Sequence, residues 1–250
     1  MARRAALTVD AIGVSFGGFK AVDGFSMVIE DGELRVLLGA NGAGKTTLMD
    51  LVSGRVKASE GRVFLYETDI TNRPEHEIAR AGLGRKFQIP SIFRDLTVRE
   101  NFEVAAARDP QVWRNLGWGL SREARGRVAE VVELTGLADV LSKRAGDLAH
   151  GQMQWLELGM LIIQDARVIL LDEPTAGMTQ GETHKTSEII NRLKGQHTLL
   201  VVEHDMAFVR AIAETITVMH QGKLLAQGSI SEIETNPKVA EAYLGSGGIH

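Results

Sequence analysis

The sequence predicts an α/β fold, in which a parallel-sheet core carries an antiparallel β subdomain and an inserted helical subdomain. Three observations predict it. Leu34, Val36, Leu37 and Leu38 form a short apolar run that leads through glycines into Leu48, Met49, Leu51 and Val52, as a buried parallel strand entering a loop and then a helix does. From Val168 onward, strand-length apolar runs alternate with helical patterns, which implies parallel strands joined by crossovers. Between Ile89 and Gln164 only helical patterns are found, marking an insertion.

Composition sets the outer bounds. With 250 residues and 44% hydrophobic content, the chain supplies a full core for one large domain or for one domain with an inserted lobe. The division expected within this single domain is a nucleotide-binding core with the β subdomain over 1–88 and 165–235, the helical insertion over 89–164, and a C-terminal helix and tail over 236–250. The formal net charge of −4 provides no global positive field for nucleic acid. Cysteine is absent, which excludes disulfides and thiol chemistry. No apolar stretch follows Arg3 and Arg4, and the longest apolar runs are strand-sized, so a soluble, non-exported chain is expected. The seven histidines include no pair at metal-ligand spacing.

Taken in order, Leu7 to Phe16 and Ala21 to Ile29 alternate apolar and polar positions around Gly17-Gly18, as a half-exposed antiparallel pair does. Gly61 to Tyr66 reads as a strand, Pro74 to Ala81 as a helix, and Leu83 to Phe87 as a strand ending at Gln88. Val98 to Ala107, Arg122 to Thr135 and Gly151 to Gln164 read as helices. The last has Met153, Leu156, Met160 and Ile163 on one face and Trp155, Leu158 and Ile162 on another; apolar on both faces, it is expected to be buried, with its methionines and tryptophan serving as core. Strands at Val168 to Asp172 and Thr198 to Val202 alternate with helices at Gly181 to Lys194 and Asp205 to Ala213. A hairpin joins Thr215 to His220 with Lys223 to Gln227. Short helices over Ser229 to Thr235 and Pro237 to Leu244 precede a frayed tail from Gly245 to His250.

The chemistry centres on Gly39, Ala40, Asn41, Gly42, Ala43, Gly44, Lys45, Thr46 and Thr47, which match G-x-x-x-x-G-K-[ST] between a strand and a helix. Glycines let backbone N–H groups turn onto phosphates, the helix N-terminus adds partial positive charge, and Lys45 reaches the β- and γ-phosphates. The hydroxyl of Thr46 is expected to hold Mg²⁺. Phe16 either stacks on a nucleotide base or faces the core as a plain strand residue. Asp172 and Glu173 end a buried strand, where open α/β sheets keep their ligands. There Asp172 suits a Mg²⁺ contact and Glu173 is positioned to orient or deprotonate a water. His204, just past the next strand, is a candidate γ-phosphate contact.

The motif order resembles the ATP-binding subunits of ABC transporters, a P-loop NTPase family. The resemblance rests on the phosphate loop, Gln88 after a strand, Leu148-Ala149-His150-Gly151-Gln152 as a signature segment, Asp172-Glu173 and His204. It implies an ATP- and Mg²⁺-dependent ATPase in which Glu173, His204 and Gln88 are catalytic and Thr46, Gln88 and Asp172 serve the metal. It also implies a head-to-tail dimer with a second ATPase subunit, so that Leu148, Ala149, His150, Gly151 and Gln152 of one copy close over the ATP of the other, the dipole of the Gly151 helix facing it. The partners implied are membrane permease subunits, contacted by Ile89 to Phe102, and indirectly a solute-binding protein. The location implied is cytoplasmic, peripheral on the inner face of the membrane. Gly84-Arg85-Lys86-Phe87-Gln88, His150-Gly151-Gln152, Gln154-Trp155-Leu156-Glu157 and Gly177-Met178-Thr179 look most like urea importers. Branched-chain amino-acid importers, which share Glu203-His204-Asp205-Met206 and the Asn236-Pro237 ending, come second.

Four positions depart from the broad family pattern: Ala149 replaces a serine, His150 a glycine, Thr179 the aspartate of the following loop, and Phe16 a tyrosine. Two rival classes are weaker. A soluble ABC-type ATPase of DNA maintenance or translation would need long coiled coils or two cores, and a P-loop kinase does not explain Asp172-Glu173 beside a signature segment.

Overall fold

The computed structural model describes residues 4–86, 92–107 and 120–244. Two compact units divide the chain: Met1–Arg85 with Arg167–Glu173 and Leu193–His250, and Lys86–Ala166 with Pro174–Arg192. The sequence reading placed the borders of the helical part at 89 and 164. The helix Gln180–Leu193, read there as part of the core, falls for nearly all its length in the second unit.

The first unit contains two sheets. Strands β1 (Ala5–Phe16), β2 (Phe19–Glu30), β4 (Glu60–Leu65) and β5 (Thr68–Asp69) form one, in the order β2-β1-β4-β5, and each neighbouring pair is antiparallel. In β2, Phe25, Met27 and Ile29 are buried while Ser26, Val28 and Glu30 are exposed, the alternation expected of a sheet with one face on a core. Ala11, at φ 45°, interrupts that alternation in β1; its N–H donates to Ser26 Oγ at 2.9 Å. The expected strand pair is present, but Phe16 does not face the core, being 51% exposed at the end of β1.

The second sheet has six strands: β3 (Leu34–Leu38), β6 (Leu83–Lys86), β7 (Val168–Asp172), β8 (Thr198–Val202), β9 (Thr215–His220) and β10 (Lys223–Gly228), in the order β10-β9-β3-β8-β7-β6. Strand β3 runs parallel to β8 and β9, and β8 to β7, while β10 folds back antiparallel on β9. Every residue of β3, β7 and β8 is buried, which explains why these strands read as largely apolar runs, with Arg35 buried inside β3. Helix α1 (Lys45–Val52) follows β3, α2 (Glu75–Arg80) precedes β6, α7 (Met206–Ile212) follows β8, and α8 (Ile230–Glu234) and α9 (Pro237–Leu244) close the chain. Leu37, Leu48, Met49, Leu170 and Leu200 join Leu7, Phe25, Ile29 and Leu65 in one buried cluster, each such side chain contributing about 1.5–3 kcal/mol.

In the second unit lie α3 (Val98–Ala106), α4 (Arg122–Thr135), α5 (His150–Ile163) and α6 (Gln180–Leu193). Helix α5 is buried along most of its length, as its two apolar faces predict, with Leu156, Leu158, Met160 and Ile163 all inside. Gly159 permits the packing: a Cβ there would stand 2.7 Å from Phe102 Cε1 of α3 and 2.8 Å from Val131 Cγ1 of α4. Trp155 Nε1 donates to Thr186 Oγ1 of α6 at 2.9 Å, and Lys185 Nζ lies 4.0 Å from the centre of its ring.

Candidate functional site

Register brings three strand ends into one row. Leu37 of β3 and Asp172 of β7 both stand opposite Val202 of β8. The segments that leave these strands, Gly39 onward, Glu173 onward and Glu203-His204, therefore emerge at the same edge of the sheet. This is the crevice at the carboxyl ends of parallel strands where such folds place ligands.

The loop between β3 and α1 is held tightly. Gly44 has φ 103°, and a Cβ there would lie 2.5 Å from the Ala21 carbonyl oxygen, so both its backbone and its surroundings require glycine. The Ala43 carbonyl accepts from Gly222 N–H at 2.9 Å, and Asp23 N–H donates to the Gly222 carbonyl at 3.0 Å. These contacts set the start of β2 against the loop; Phe16, exposed, pairs with Phe19 across the Gly17-Gly18 turn. Lys45 is buried, its Nζ donating to the carbonyls of Gly39 at 2.6 Å and Ala40 at 3.1 Å. Burial lowers its pKa, while the charges of Glu173 and Asp172 act in the opposite direction. Thr46 and Asn41 are exposed.

Asp172 is only 3% exposed at the end of β7. Glu173 adopts φ 46°, a left-handed conformation that costs a non-glycine residue about 1–2 kcal/mol. Its N–H donates to the Val202 carbonyl at 3.0 Å, and its Oε1 lies 3.6 Å from Nδ1 of the exposed His204. Asp205 caps α7, Oδ1 accepting from Ala207 N–H at 2.8 Å, and so fixes the chain just after His204. The structure thus brings the phosphate loop, Lys45, Asp172, Glu173 and His204 together in one unit. Gln88 lies outside the described residues.

The donor set suits Mg²⁺. Among the described residues no cluster of three or more His, Asp or Glu forms a cage, but Mg²⁺ beside a nucleotide needs only one or two protein oxygens with phosphates and water. Asp172 and Thr46 offer those oxygens at a strand end and on the first turn of α1.

The signature segment lies in the second unit. Leu148 is buried, Ala149 is the N-cap of α5, and its N–H donates to Gln152 Oε1 at 3.1 Å. His150 is exposed, with Nε2 3.0 Å from the Ala176 carbonyl. Gly151 N–H donates to Glu182 Oε1 at 3.3 Å.

Sequence reasoning gave no site role to three residues. Glu182 accepts from both Thr179 N–H at 2.9 Å and Thr179 Oγ1 at 2.8 Å, bonds that lower its pKa; the T-x-x-E spacing signals it. Asn101 is fully buried and binds Phe93 N–H at 2.8 Å and the carbonyls of Phe93 and Thr97 at 3.0 and 2.9 Å. Arg85 is buried behind Asp172. An asparagine within a helix and an arginine within a strand were the only available signals.

The ABC transporter family pattern matches residues 22–176. Over 250 aligned residues the chain is 37% identical to the high-affinity branched-chain amino acid transport ATP-binding protein LivG of Salmonella typhimurium, covering 96% of this chain and 97% of LivG. It is 36% identical to the corresponding protein BraF of Pseudomonas aeruginosa, covering 97% and 98%. Among solved structures, the ADP conformation of MJ1267, an ATP-binding cassette of an ABC transporter, superposes with a TM-score of 0.83 at 31% identity, covering 96% of this chain and 99% of that one. Both relatives are branched-chain amino acid transport proteins, whereas the local motifs looked most like urea importers. With its phosphate loop and acidic strand end set in the fold of these cassettes, the chain belongs to the ABC transporter family as one of its ATP-binding, ATP-hydrolysing subunits.

Proposed function

We propose that this ATPase energises the import of branched-chain aliphatic amino acids, acting on the inner face of the membrane through permease subunits fed by a solute-binding protein. The observation that carries the substrate class is similarity along nearly the whole chain to LivG and BraF. The histidine in the signature, His150, favours urea or a small amide as the second reading. No helix among the described residues is long and apolar enough to cross a membrane.

In this reading the loop amides and Lys45 hold the triphosphate and Phe16 meets the base. Thr46, Asp172 and Gln88 would hold Mg²⁺, which supplies charge neutralisation on the phosphates. Glu173 orients and deprotonates the attacking water, and His204, placed beside Glu173, contacts the γ-phosphate. Two copies pack head to tail, the start of α5 in one closing over the nucleotide of the other. ATP favours the closed pair, and hydrolysis releases it. Phe93, 44% exposed, with half-buried Ile92 and Leu96, offers an apolar surface to a permease helix.

The test is ATPase stimulation in vesicles carrying the assembled importer, with leucine, urea or a short amide supplied alongside its binding protein. Stimulation by leucine alone is expected. Stimulation by urea alone replaces this assignment with the second reading.

A further inference from the structure

We propose that Arg85 is a positioning residue for the metal site: its buried guanidinium holds the carboxylate of Asp172 in fixed relation to α1, the helix that begins with Lys45 and Thr46. The proposal rests on the reading of Asp172 and Thr46 as metal-facing groups.

The geometry is a fork. Nη1 of Arg85 donates to Asp50 Oδ1 at 2.6 Å and to Ser53 Oγ at 2.7 Å, both at the C-terminal end of α1. Nη2 lies 3.7 Å from Asp172 Oδ2 at the end of β7. The Arg85 and Asp172 side chains are 5% and 4% exposed. One planar group therefore spans two elements, which a lysine's single ammonium cannot reproduce with the same geometry.

A purely structural role explains this arrangement poorly. Buried ion pairs are weak sources of stability, and well-packed apolar groups often replace them without loss. A guanidinium joining the phosphate-loop helix to an acidic strand end has a positional consequence instead. It sets where the Asp172 carboxylate stands relative to the helix that carries Thr46. Groups one layer behind a metal's ligands orient those ligands, and their loss typically weakens metal binding by about 10–100-fold.

The test uses the full chain and binding of a fluorescent ATP analogue, with EDTA and across a Mg²⁺ titration. In Arg85→Met the Mg²⁺ concentration for half-maximal enhancement should rise about tenfold, while affinity in EDTA stays at the wild-type value. In an Asp172→Asn background, Arg85→Met should add nothing further to the Mg²⁺ requirement, because the group it positions is gone. An unchanged Mg²⁺ requirement in Arg85→Met, an equal loss with EDTA, or full additivity with Asp172→Asn overturns the proposal. Should Asp172→Asn alone leave the Mg²⁺ requirement unchanged, it is the assignment of Asp172 that fails. If Arg85→Met does not fold, Arg85→Lys carries the test: it retains the charge and loses the fork, so the Mg²⁺ requirement should still rise, and a wild-type requirement overturns the proposal.

Discussion

His150 Nε2 lies 3.0 Å from the carbonyl oxygen of Ala176, joining the start of α5 to the turn that follows Pro174. A carbonyl only accepts, so the ring donates through Nε2–H, which both the neutral tautomer and the charged imidazole supply. Charge on the ring is therefore not needed for the contact. Removing it with His150→Ala should speed amide exchange in residues 175–179 while leaving ATP affinity of the monomer unchanged. Amide exchange at wild-type rates throughout the turn would remove the contact from the account.

Ala149 leaves half of a capping box unmade. Gln152 already returns its side chain to the Ala149 N–H at 3.1 Å, but alanine has no oxygen for the N–H of Gln152. Ala149→Ser supplies one and should stabilise the protein by about 0.5–1 kcal/mol, seen as a higher melting temperature. It should also tighten the ATP-dependent dimer by offering a hydroxyl to the partner's nucleotide.

Glu182 contributes on the acid side. Hydrogen bonds from Thr179 hold its carboxyl below the ordinary value of 4.5, so the folded state favours the ionised form. That contribution is fully present above about pH 4.5 and is lost as pH falls through the lowered value. Glu182→Gln should therefore melt lower than the parent at pH 7, and the gap should close below pH 4.5. A gap that does not change with pH would assign the loss to geometry rather than charge.

Asn101 holds the turn from Phe93 to Thr97. Four hydrogen bonds to backbone groups of Phe93, Leu96 and Thr97 leave Phe93 outward. Asn101→Ala should lower permease-stimulated ATPase more than basal ATPase, whereas Asn101→Asp, which loses the amide donors, should behave similarly. Equal loss of both activities would mark Asn101 as purely structural.

How much of this was legible in the sequence follows from the range of the interactions involved. The phosphate loop and its flanks are local, so Gly39 to Val52 could be read directly. The uniformly buried strands β3, β7 and β8 announced themselves as apolar runs, and Asp172-Glu173 stood out at the end of one. Phe16 was left between two readings because alternation continues to the end of β1; only its exposure separates it from the core. Arg85, Asn101 and the Glu182–Gly151 contact depend on partners 31 or more residues away, or on backbone carbonyls that every residue has, and pattern carries no trace of them. The position of α6 was misjudged for the same reason: its contact with Trp155 is tertiary. Local motifs looked most like urea importers, whereas LivG and BraF, similar along nearly the whole chain, are branched-chain amino acid transport proteins.

Glu173 is the residue proposed to act on water, in a site formed by the row of strand ends. Its left-handed backbone is anchored by N–H donation to Val202, and its carboxylate lies 3.6 Å from His204. The most direct measurement pairs single-turnover hydrolysis of MgATP with sizing in MgATP, for the parent and for Glu173→Gln. Glu173→Gln should show unchanged ATP affinity, hydrolysis slowed by about 10²-fold or more, and an ATP-bound dimer that accumulates only in the variant. Hydrolysis at the parent's rate, with no dimer, would contradict that role.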